Sequence, residues 1–391
     1  MRCGHRRGPT TIAAGLLLLF PAAGAALFGS SCGTCQVSIH RTAITPIAGQ
    51  TGSFDALEID NAAHRLYIAD RTDSGLDVFD ISTSTARYKG TIYVDGLPNG
   101  LAIASDFKRL YAGLSNGTVV AIDTDPGSST FYKVVSRITI GAPAADLLDY
   151  GAKRKRIYVG TGDAGFVASI DPADDQVLGH FVVGGSVEQP RFDPADGMVY
   201  VTSPDKDALF KIDPNDGQVK RTYKLGGCKP SGLAINPSKQ LALIACARTV
   251  LRLELGSGSQ HLVPSVLGGD IVTYDGVADM FMVASPHTTS PSMVGVFNGS
   301  GELVNKVTTN AQGHAAAYDE AHKVAYAPDA GDGKGQVVSF DPLACEPPPE
   351  WLNFLVGLSF WLLPLVVLGA ALFLYGRSRA RSRALAKAKR Q

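Results

Sequence analysis

The chain has 391 residues, 45% of them apolar and 18% charged, with 43 glycines and 22 prolines. It is too apolar for a disordered chain and long enough for one large or two ordinary domains. The 36 basic and 36 acidic residues balance only because ten basic ones lie at the ends; without residues 1–26 and 351–391, 26 basic face 36 acidic side chains. That acidic excess excludes nucleic acid as the expected partner, because phosphate binding needs a basic face.

Arg2, Arg6 and Arg7 precede an apolar run from Ile12 to Phe20, then Pro21 and the small residues Ala23-Gly24-Ala25. A positive start, a short apolar stretch and an Ala-x-Ala-like exit predict a secretory signal peptide over residues 1–26. Arg6-Arg7 only faintly echoes a twin-arginine signal, since Gly8-Pro9-Thr10 follow in place of an apolar pair. Residues 27–53 read as a linker that contains one strand-like run, Gln36–Ile47. Cys32-Gly33-Thr34-Cys35 is followed by Gln36, so haem attachment, which needs His, fails; a zinc site would want a second pair of this kind.

Residues 54–346 repeat one pattern: a strand, a short turn, an Arg-x-Tyr-Val-like strand, a turn, then an apolar strand closing on Asp. The second-strand anchors are Tyr67, Tyr111, Tyr158, Tyr200, Leu243, Met282 and Tyr326, spaced 39 to 47 residues apart. The third strands end at Asp80, Asp123, Asp171, Asp213, Glu254, Asn298 and Asp341, where a carboxylate accepts backbone N–H bonds of the following turn. Short strands at this period, separated by Gly, Pro, Asn and Asp, predict four-stranded propeller blades. A (β/α) barrel would need helical spacers instead. The seventh unit stops at Ser339-Phe340-Asp341-Pro342 without an outer strand, so the strand in 36–47 is expected to complete it. The expected fold is all-β: one seven-bladed β-propeller closed by an N-terminal strand, followed by one C-terminal transmembrane helix.

The units from Ile157-Tyr158-Val159 through Ile212-Asp213-Pro214, and Lys229-Pro230-Ser231-Gly232-Leu233-Ala234-Ile235-Asn236-Pro237, resemble the YVTN-type (YncE-like) β-propeller repeat family. Blades 5 and 6 depart from it, with Leu243 and Met282 in place of Tyr. The resemblance implies a secreted or cell-surface binding scaffold.

In a propeller the first strand of each blade lines the central channel. Twelve residues before the anchors stand Asp55, Asn99, Asp146, Glu188, Ser231, Asp270 and His314, all polar and four acidic. Closure places them around one axis as a candidate ligand-binding ring, with Asp55, Asp146, Glu188 and Asp270 as candidate metal ligands and His314 as a candidate general base. No cofactor is otherwise expected; a divalent cation, calcium or zinc, is the candidate for such an oxygen-rich ring. The plain alternative is a water-filled channel with polar mouths. The second-strand exits on the same face add Asp70, Asp163, Asp329 and His287.

Gly160-Thr161-Gly162-Asp163-Ala164-Gly165 matches GxGxxG, but the apolar run Phe166–Asp171 follows it, so a turn between strands is expected and no dinucleotide site. Ser105, Ser203 and Ser285 read as turn residues, and none of the three is flanked as Gly-x-Ser-x-Gly. Cys228 enters blade 5 and Cys246 ends its second strand, on one face if those strands pair, so a disulfide is expected. Cys345 with Cys32 or Cys35 would staple the ring shut. Asn116-Gly117-Thr118 and Asn298-Gly299-Ser300 are glycosylation sequons.

After a Pro-rich linker at 347–350, residues 351–375 carry no charge. At 1.5 Å per residue they reach about 38 Å, enough to span a bilayer. The basic residues of 376–391 then predict a cytoplasmic tail and an extracytoplasmic propeller. The sequence therefore predicts a membrane-anchored scaffold with an extracytoplasmic protein, glycan or small-ligand partner. The alternatives are a metal-dependent lactonase- or esterase-like hydrolase or lyase at the channel, and a structural cell-surface protein.

Overall fold

The computed structural model describes residues 40–43, 52–286, 292–309, 313–330 and 335–343, all within the larger of the chain's two compact units, residues 35–391. They form seven four-stranded antiparallel sheets, the blades of a β-propeller. Blades 1 to 6 begin with inner strands Phe54–Asp60, Pro98–Ala104, Leu148–Gly151, Pro190–Asp193, Pro230–Asn236 and Val272–Asp275, and each runs outward in chain order. Blade 7 begins with Ala317–Asp319 and takes its outer strand from the N-terminal side: His40–Ala43 pairs antiparallel with Gln336–Phe340, His40 opposite Ser339. The expected closing strand is therefore present. Residues 1–26, Cys32, Cys35, Cys345 and residues 351–375 lie outside the described residues; among the described residues no helix is long and apolar enough to cross a membrane.

The second strands are continuous apolar runs because each sheet is covered on both faces; Leu241–Cys246 and Met280–Ser285 are buried along their whole length. The core is a series of wedges between adjacent blades. Tyr111 and Val119 of blade 2 pack with Leu148 and Ile157 of blade 3. Tyr326 and Val337 of blade 7 pack with Leu66 and Ile68 of blade 1, so packing as well as the outer strand closes the ring. Outer strands such as Val219–Lys224 are mostly exposed. A register shift interrupts the pairing of third and outer strands in blades 1, 2, 3, 4 and 6, bending the exposed edge away from a flat pairing surface.

The third-strand carboxylates cap turns. Asp80, Asp171 and Asp213 each accept the backbone N–H two residues on, at 2.9, 3.0 and 2.9 Å. The GxGxxG segment is the turn between Arg156–Gly160 and Phe166–Asp171. Cys228 and Cys246 form the expected disulfide, with Cα atoms 4.8 Å apart.

The tyrosine anchors fill the wedges at no more than 1% exposure, and Leu243 and Met282 occupy the same register position in blades 5 and 6. Their hydroxyls are not equivalent. Tyr111 donates to Asp175 Oδ1 and Tyr200 to Asp196 Oδ2, both at 2.7 Å. The Tyr158 hydroxyl is buried without a partner. Replacing Tyr111 or Tyr200 by Phe should cost about 1 kcal/mol each, whereas Tyr158→Phe should be neutral or stabilising by up to about 1 kcal/mol. Denaturant midpoints of the three variants check this contrast; an equal loss in all three would refute it.

Candidate functional site

The seven polar positions twelve residues before the anchors all lie at or just before the start of an inner strand, at one end of the propeller axis. Asp55, Asn99 and Ser231 are the second residues of their strands, while Asp146, Glu188, Asp270 and His314 stand two or three residues ahead of theirs. They form a chain of contacts from blade to blade. Arg71, from the loop after the second strand of blade 1, donates to Asp55 Oδ2 at 3.2 Å and to Asn99 Oδ1, joining blades 1 and 2. Asn99 Nδ2 donates to the Ala145 carbonyl at 2.9 Å, reaching blade 3. The carboxyl groups of Asp146 and Glu188 share a hydrogen bond, and Thr202 Oγ1 donates to the Ser231 carbonyl. Ser231 Oγ donates to the Gly269 carbonyl at 3.0 Å, and His314 Nδ1 lies 2.5 Å from Asp270 Oδ2.

The backbone under this ring is held by close approach. Asp146, Glu188 and Asp270 donate their N–H groups to Gly160, Thr202 and Ala284 carbonyls at 2.9, 3.1 and 2.8 Å. A Cβ on Gly232 would lie 1.9 Å from Asp270 O, and one on Gly160 would lie 2.2 Å from Glu188 O. Only glycine lets the neighbouring blade carry its carboxylate so near. The first glycine of the GxGxxG run thus has a packing role.

Crowding on rigid strands shifts the titrations. Burial, then the Asp270 charge, pushes Asp55 up to about 7, with His314 and Arg71 opposing. Burial, then Asp146 and Asp270, pushes Glu188 up to about 7. Asp146 rises to about 6 by burial and the Asp270 charge. His314 is raised by its hydrogen bond to Asp270 against the opposing effect of burial. A cation entering the mouth would relieve this repulsion. As a metal centre the ring is loose: among the described residues, the group of three acidic or His ligands whose atoms all fall within 4.8 Å is Asp70, Asp73 and Asp77, none of them a ring residue. Arg71 beside Asp55 and His314 on Asp270 occupy two of the four carboxylates proposed from the sequence. His287 lies outside the described residues.

The sequence reading missed a second ring. Nine residues before each anchor, and directly opposite it in register, stand Glu58, Ala102, Asp149, Arg191, Ala234, Thr273 and Ala317. Counting nine instead of twelve would have found them. Six of them, all but Ala102, line a cavity of about 290 Å³ that Tyr318 also borders. Burial pushes Glu58 up to about 7, with Arg191 opposing and Asp149 adding to it. Gln189 and Arg191 of blade 4 bridge the interior. Gln189 Oε1 accepts Leu233 N and Val272 N at 2.6 and 3.2 Å. Arg191 donates to the carbonyls of Leu233, Leu148 and Val272 at 3.1, 3.1 and 3.3 Å. Two blade-4 side chains therefore tie blades 3, 5 and 6 together, where the sequence allowed a plain water-filled channel.

No family model matches the chain, and no curated protein matches it.

Asp55, Asp146 and Glu188 hold protons more tightly in the folded than in the unfolded chain. Their contribution favours folding below the ordinary carboxylate range and is lost as pH rises through about 6 to 7. Without added cations, the Tm of the full-length chain should fall by about 2–5 °C between pH 5 and pH 8. Glu188→Gln should flatten that slope and raise Tm at pH 8. Differential scanning calorimetry at several pH values checks this; an unchanged slope in the variant would count against the crowding.

Proposed function

We propose that this chain is a single-pass membrane-anchored, extracytoplasmic β-propeller that acts as a binding scaffold. Its acidic axial mouth receives a cationic group of a protein, glycan or small-ligand partner. The carrying observation is the ring of carboxylates fixed around one axis, three of them pushed toward neutrality by burial and mutual repulsion. An ammonium or guanidinium group placed there gains charge-assisted hydrogen bonds and lets these carboxylates ionise. The anchoring and orientation rest on the sequence of residues 1–26, 351–375 and 376–391. A second reading, a hydrolase at the same mouth, is favoured by His314 lying 2.5 Å from Asp270, an arrangement that orients an imidazole and strengthens it as a base.

The test uses the purified full-length chain in detergent, titrated calorimetrically with a lysine-rich peptide and with spermidine. Binding should weaken with salt and fall at least about tenfold in Asp146→Asn and in Glu188→Gln, a loss of about 1.4 kcal/mol. Affinity unchanged in both variants overturns the scaffold reading at this mouth. Turnover of lactones or esters that disappears in His314→Ala would establish the hydrolase reading instead.

A further inference from the structure

Blade 1 departs from the repeat at one buried point. The third-strand residue opposite the position after the anchor is apolar or glycine in six blades: Val120, Ala168, Phe210, Leu251, Gly295 and Val338. In blade 1 it is Asp77, opposite Ile68 and 0% exposed. Beside it stand Asp70 at 1% and Asp73 at 6% exposure, and one ligand oxygen from each of the three lies within 4.8 Å of the others.

Within this group the Asp77 carboxylate is short of a donor. Asp70 Oδ1 accepts the N–H groups of Thr72 and Asp73 at 2.7 and 3.2 Å. Asp77 Oδ1 accepts Thr91 Oγ1 at 2.6 Å, but Asp77 Oδ2 is buried and meets no donor except a proton shared with the Asp70 carboxyl. A carboxylate oxygen withdrawn from water and left without a donor is costly, and a site that takes Val or Ala elsewhere in the ring gives no packing reason for it.

The geometry points to a divalent cation, calcium, bound by Asp70, Asp73 and Asp77 between the second and third strands of blade 1. An all-oxygen, three-carboxylate set within 4.8 Å suits a hard cation that coordinates at about 2.3–2.6 Å. The site uses none of the seven ring side chains, although Asp70 lies opposite Phe54, the residue before Asp55. It would also brace the loop that carries Arg71 to Asp55 and Asn99.

The experiment is thermal unfolding of the full-length chain after chelator treatment, with and without 5 mM calcium chloride. Calcium should raise Tm by about 3 °C or more. Asp77→Val, the residue found at this position in blades 2 and 7, should fold, melt at least as high without calcium, and lose the calcium shift. Asp146→Asn should keep it. Terbium luminescence excited through tyrosine gives a second readout, because the Tyr88 hydroxyl lies 2.6 Å from Thr91 Oγ1 beside the site. That signal should be displaced by calcium and absent in Asp77→Val. No calcium shift in the wild-type chain, or a shift that survives Asp77→Val, overturns the assignment.

Discussion

The burial of each sheet's two apolar faces against its neighbours is the constraint on which the rest depends. A single blade would expose Tyr67, Leu66 and Ile68 to water, and each such side chain is worth about 1.5–3 kcal/mol when buried. Six of the wedges form between blades that follow one another in the chain. The seventh, where Tyr326 and Val337 meet blade 1, exists only if the ring closes, and His40–Ala43 supplies the strand that seals it. Closure in turn points seven inner strands at one axis.

At that axis the scaffold holds acidic groups closer together than solvent would. Asp146, Glu188 and Asp270 cannot move apart, because their backbones are pinned by hydrogen bonds and by the glycines of adjoining blades, and Arg71 holds Asp55 beside them. Arg71 and His314 offset part of the repulsion, and the remainder appears as raised proton affinity. Rigid strands hold such a constellation more firmly than mobile loops could.

Departures from the repeat mark where the ring is specialised. Blade 4 supplies Gln189 and Arg191, which span to three other blades. Blade 1 supplies Arg71 and the buried Asp70, Asp73 and Asp77. Positions that break a local rule without a packing reason are where function is expected, and the buried acidic group of blade 1 is such a place.

Much of this was legible in the amino-acid order. The spacing of Tyr67 through Tyr326 counted the blades, the missing outer strand after Phe340 pointed to the N-terminal strand, and Cys228 with Cys246 named a disulfide. Counting back from the anchors also found the polar ring, because strand period and turn chemistry are local properties of a few consecutive residues. The sequence could not show that Arg71 reaches the ring from a loop, that Arg191 spans to blades 3, 5 and 6, or that Asp77 lies against Asp70 and Asp73 with an oxygen unsatisfied. Those facts depend on distances between residues up to 81 positions apart. Such distances are set only when the wedges pack and the ring closes: periodicity says which way a side chain faces, and tertiary structure decides what it meets there.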